Sequence, residues 1–126
     1  MSTSRHRAPA AIDATLAAAA RDIHAAVRRA GPDDPPGLAR LRETGWQLIQ
    51  LTGGLSDLTA LVAEHTSRHA EHPGRLRQVE AGPAGPQLAR AVRELARLRQ
   101  ALDAANAAAR DFYTATSHLA PAGPTP

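Results

Sequence analysis

The sequence predicts an all-α protein: two long helices folded back on each other as an antiparallel hairpin, with a shorter helix before them, as a three-helix bundle or a helical dimer. Three observations predict it. Apolar residues recur at alternating steps of three and four through three segments. The breaks GPDDPPG at 31–37 and the stretch from Pro73 to Pro86 separate these segments as loops. Aromatic residues make up only 2%, so the apolar content comes from Leu, Ile, Val and many Ala. The 126 residues suit one helical domain over 11–119, with residues 1–10 and 120–126 read as disordered tails.

The first helix is expected over about 13–30, where Ile12, Leu16, Ala19, Ile23, Ala26 and Ala30 lay one stripe along a helix before Gly31 and Pro32 stop it. The second is expected over about 36–71, after Asp33 and Asp34, whose charges favour a helix N-terminus. Its seam reads Leu38, Leu41, Gly45, Leu48, Thr52, Leu55, Thr59, Val62, Thr66 and His69, a heptad pattern. Ile49, Leu51, Leu58 and Leu61 widen the apolar face beyond that of a two-stranded coil, so contact with more than one helix is expected. Gly53 and Gly54 either break this helix, with Ser56 capping a fresh one, or admit a close partner within a continuous helix. The unchanged heptad phase on either side favours continuity.

The third helix is expected over about 86–119, with Leu88, Ala91, Leu95, Leu98, Leu102, Ala105, Ala109, Phe112, Thr116 and Leu119 as its seam. Each long helix would span roughly 50 Å. Leu76 and Val79 are expected to form a short turn closing the hairpin. Folding about residue 78 places Trp46 opposite the Phe112 region, and Gly53 and Gly54 opposite Leu102 to Ala105, where the helices approach closely. The interaction seam is therefore assigned to Leu48, Leu55, Val62, Leu95, Leu98, Leu102 and Phe112. A core so rich in Ala is thin at about 25 cal/mol per Å² buried, and self-association as a homodimer is the expected way to bury more.

Chemistry is narrowed by what is missing. With no Cys there is no disulfide, thiolate ligand or cysteine nucleophile. All fifteen basic residues are Arg, and the formal net charge of +3 does not by itself imply a polyanionic partner. Asp13 and Arg21 interrupt the Ala-rich start, and no run of about 18 apolar residues occurs, so no membrane partner is expected and cytoplasmic residence is. Gly54-Leu55-Ser56-Asp57 lacks the second glycine of a nucleophile elbow, and neither a phosphate-cradling glycine pattern nor a carboxylate pair beside a base occurs. No catalytic residue and no cofactor is assigned.

Two clusters have weighable chemistry. In EHTSRHAEH, His65 and His69 stand one turn apart with His72 following, a spacing at which two imidazoles can share a divalent metal. The order is not H-E-x-x-H, and histidines at a helix C-terminus also complement its dipole, so metal is assigned to none and these three remain candidates. Arg90, Arg93 and Arg97 on one side of the third helix are possible phosphate contacts for a nucleic-acid accessory protein. Glu94 among them makes ordinary surface ion pairs, and neither a helix-turn-helix nor base-stacking aromatics accompany them. The leading expectation is a non-catalytic helical interaction module that binds itself or another helical protein.

As a whole the chain resembles the small, uncharacterised Ala- and Arg-rich helical proteins of high-GC bacteria, a likeness that supplies no functional residues. In its two long antiparallel helices it also resembles the WXG100 secreted helical hairpins. That family carries Trp-x-Gly in the turn between its helices, and an export signal in which Tyr is followed four residues later by an acid. Here Gly45-Trp46 sits inside the second helix and the residue four after Tyr113 is Ser117, so the likeness rests on architecture.

Overall fold

The computed structural model describes residues 11–31, 34–72, 74–80 and 82–123. The tail expected over 1–10, the end of the tail at 124–126 and the helix-starting role of Asp33 lie outside these residues. The chain divides into two compact units, Met1–Pro36 and Gly37–Pro126.

The first unit holds α1, Ile12–Arg29. Its Ala-rich sequence favours helix, Asp13 occupies the first turn, and Arg28 and Arg29 complement the negative end of the dipole in the last. Extended backbone at Ala30 ends it, with the Ala30 amide still bonded to the Ala26 carbonyl at 3.0 Å. None of its residues is buried.

The second unit is the hairpin of α2, Leu38–Arg68, and α3, Gly85–Ser117. The two helices pack against each other along their length. Extended Gly37 precedes α2, which starts two residues later than the sequence predicts. Gly37 accounts for the delay, because it takes the extended conformation of an N-cap and leaves Leu38 as the first helical residue. A single 3-10 turn, His69–Glu71, ends this arm ahead of Pro73. Pro86 opens α3 in its first turn, where a missing N–H costs nothing.

Gln78, rather than the predicted Leu76 and Val79, closes the connection. Its amide donates to the Gly82 carbonyl at 3.1 Å and its side-chain Nε2 to the Pro83 carbonyl at 2.9 Å. Leu76 and Val79 are exposed, since a chain reversal this tight buries no side chain large enough to matter. Gly82 sits at φ +120°, a left-handed conformation that a side chain would strain.

α2 runs unbroken through Gly53 and Gly54. A Cβ at Gly54 would meet nothing within 4 Å, so this glycine lowers helix stability without serving a close approach. Gly54→Ala is expected to stabilise the hairpin by about 0.5–1 kcal/mol. Urea unfolding followed by circular dichroism measures it, and a lower midpoint would mean that α2 is not a regular helix there.

The packed seam differs from the predicted one in a regular way. Buried or half-buried positions run Arg42, Gly45, Ile49, Thr52, Ser56, Thr59, Ala63 and Thr66 in α2, and Leu88, Val92, Leu95, Leu102, Asn106, Ala109, Tyr113 and Thr116 in α3. Every second residue agrees with the prediction, and the other column lies one residue further on. Leu48, Leu98 and Phe112 are consequently 41%, 48% and 42% exposed, while Leu55 and Val62 are half-buried on the flank. Small and hydrogen-bonding side chains let the backbones approach, and the bulkier leucines and Phe112 are displaced sideways. Among the described residues Ile49 and Ala109, at 6% and 8%, are the only buried apolar side chains.

Candidate interaction face

The seam is held in register by polar contacts. Asn106 Nδ2 donates to the Ile49 carbonyl at 2.9 Å and to Thr52 Oγ1 at 3.0 Å, while its Oδ1 accepts from Arg110 Nε at 2.9 Å. Ser56 Oγ donates to Asp103 Oδ1 at 2.6 Å. Thr52, Thr59 and Thr66 each return their hydroxyl to the carbonyl four residues earlier, at 2.8 Å, so they enter the seam already satisfied. Among the described residues no buried side-chain N or O lacks a partner. These bonds hold only if Thr52 lies level with Asn106 and Ser56 with Asp103, so a slip of one turn loses all of them.

The open end of the hairpin is clasped by Arg42. Its Nε donates to the Thr116 carbonyl at 2.9 Å, and its Nη2 donates to the Leu119 carbonyl. Beside this clasp the aromatic residues divide between the two sides of the hairpin. Trp46 tilts against Tyr113, with ring centroids 5.8 Å apart, on one side. Phe112 lies against Gly45 on the other: a Cβ at Gly45 would stand 2.9 Å from Phe112 Cδ2 and 3.6 Å from Tyr113 Cα. Glycine is needed at 45 for this approach.

The Phe112 side forms one apolar face. α2 contributes Leu41, Leu48, Leu51, Leu55, Leu58 and Val62, and α3 contributes Leu98, Phe112 and a run of alanines, Ala101, Ala105, Ala108 and Ala115. In an antiparallel pair the flanking columns of the two helices meet on the same side, which joins the two stripes into one surface. Between Leu41 and Val62 its α2 half carries no charge. Of the residues assigned to the interaction seam, Leu48, Leu55, Val62, Leu98 and Phe112 lie on this face, with half-buried Leu95 and Leu102 at the junction of face and seam. The signal missed in the sequence was the polar pair Ser56 and Asn106, which lines the interior beside the predicted Thr116.

The other candidates stand apart from this face. His65, His69 and His72 are exposed, and among the described residues no group of three or more His, Cys, Asp or Glu is arranged to hold a metal ion. An open cavity of about 440 Å³ near the turn is lined by His69, His72, Arg77, Leu76 and Leu88. Arg90, Arg93 and Arg97 are exposed on the outer surface of α3, where Arg97 pairs with Glu94 at 3.1 Å. Among the described residues no helix is long and apolar enough to cross a membrane.

Comparison of the chain with family models, with curated proteins and with solved structures gives no match in any of the three.

Proposed function

We propose that the protein is a non-catalytic helical interaction module, resident in the cytoplasm, that works by covering the leucine face of its hairpin with another helical surface. One observation carries this reading: the leucines of the predicted seam lie on one side of the hairpin, outside its interior, with Leu41, Leu48, Leu51, Leu98 and Phe112 exposed and Leu55, Leu58 and Val62 half-buried. A soluble chain that exposes a contiguous apolar surface of this extent uses it for association. The polar seam supports the same reading, because it fixes helix register by hydrogen bonds and leaves the leucines free for a partner.

A photo-crosslinking residue placed in turn at Leu51, on this face, and at Arg97, on the outer surface of α3, tests the proposal in the native cell. Discrete protein adducts are expected from position 51 and none from position 97. An absence of adducts at 51, or the same adducts from both positions, overturns it.

A further inference from the structure

We infer that the occupant of the leucine face is a second copy of this chain, the two hairpins stacking about a twofold axis parallel to their helices into a four-helix bundle. The inference rests on the reading of the face as a docking surface and names what docks there.

The phase of the heptads is the first argument. The apolar stripe in the sequence and the seam between α2 and α3 share one column and differ by one residue in the other. One residue is about 100° of helical rotation, so the stripe is centred about 50° away from the line joining the helices. Both helices are turned toward the same side, the side on which Phe112 meets Gly45. A stripe aimed at the axis of a square four-helix bundle is turned by about 45° from the line to its neighbour. The sequence pattern fits the bundle, and the polar column fits the contact within each hairpin.

The face also contains its own complement. Its α2 half is made of leucines and its α3 half is largely alanine. The cross-seam bonds of Thr52 with Asn106 and of Ser56 with Asp103 set the levels. By these levels Leu51 and Leu55 stand nearest Ala108 and Ala105, and Leu48 nearest Phe112. A twofold axis along the helices preserves level and lays α2 of one copy over α3 of the other, so Leu51 and Leu55 at the middle of the face meet alanines while Leu48 meets Phe112. An axis across the helices would set leucine on leucine and alanine on alanine, overfilling one contact and leaving a gap in the other.

Area and supply agree. The stretch from Leu41 to Val62 is about 33 Å long and two helices are about 20 Å wide, roughly 650 Å² in projection and more in accessible surface. A stable complex buries about 800 Å² per partner. With Ile49 and Ala109 its only buried apolar side chains among the described residues, the hairpin gains apolar burial from a cover. A second copy is present in equal amount wherever the chain is made.

The chain has no cysteine, so single thiols are unique probes. Sedimentation of the full chain is expected to give twice the 13.2 kDa of one chain. With diamide added as the two-electron oxidant, an equimolar mixture of Leu51→Cys and Ala105→Cys chains is expected to form the mixed disulfide. At about 10 µM it should form about 100-fold faster than between unassociated chains, because association raises the effective thiol concentration to the millimolar range. A symmetric Leu51→Cys disulfide forming faster than the mixed one overturns the arrangement. A chain that sediments as a monomer at every concentration overturns the second copy, whether its Leu51→Cys thiol is open to reagent or shielded. Adducts to other proteins from position 51 would then leave the docking reading standing, and their absence would remove both.

Discussion

Replacing Ile49 by alanine is expected to destabilise the protein by about 3 kcal/mol, within the range of about 2–5 kcal/mol for truncating a buried aliphatic side chain. Ile49 is 6% exposed, and the α3 residue at its level is Ala109, itself buried. An alanine cannot reach into the space that the isoleucine vacates, so relaxation is limited and the cavity persists. The Asn106 bond goes to the backbone carbonyl of residue 49, which the substitution retains, so the loss reports packing rather than hydrogen bonding. Urea unfolding followed by circular dichroism gives the magnitude, with Leu61→Ala on the exposed surface as the control, expected to change it little. Equal effects of the two substitutions would place Ile49 outside the core and refute the seam described above.

Arg42→Met is expected to cost about 1.5–2 kcal/mol, the usual contribution of hydrogen bonds made by a charged group. The substitution keeps the apolar stem and removes only the guanidinium. The Leu119 carbonyl then loses its guanidinium donor, and the Thr116 carbonyl keeps the Leu119 amide at 3.2 Å, at the place where a helix runs out of donors for its last acceptors. The positive charge also stands at the negative end of the α3 dipole, which adds to the effect at low salt. The predicted signature is local: faster amide exchange at His118 and Leu119, with the amides near Ser56 and Asp103 changed much less. A uniform change along both helices would show that the clasp acts on the whole hairpin and not on its open end.

The helices and the chain reversal were readable from the sequence, because heptad spacing and proline breaks act locally. Element ends fell within three residues of expectation: α2 starts at Leu38 where Pro36 is expected, and α3 ends at Ser117 where Leu119 is expected. What the sequence concealed was which way the helices face each other. Counting apolar atoms selects Leu55 over Ser56 and Phe112 over Tyr113, and it gives no choice between Leu48 and Ile49. The seam depends instead on close approach, as at Gly45, and on pairs such as Ser56 with Asp103 whose polarity cancels only when both are present. A one-residue pattern carries no trace of such pairing. The same limit applies to Arg42, which reads as a surface charge until the end of α3, more than seventy residues away in the chain, is brought to it.

The short reversal at Gln78 and Gly82 also sets the order in which the hairpin assembles. Closing a loop of about ten residues takes less conformational entropy than closing one of seventy, so pairing is expected to nucleate beside the reversal and zip outward level by level. Arg42 and Thr116 meet last on that path and part first on the way back. Thermal opening is therefore a directional fraying that starts at the guanidinium clasp, and it exposes the Phe112 end of the molecule before the half beside the reversal loosens.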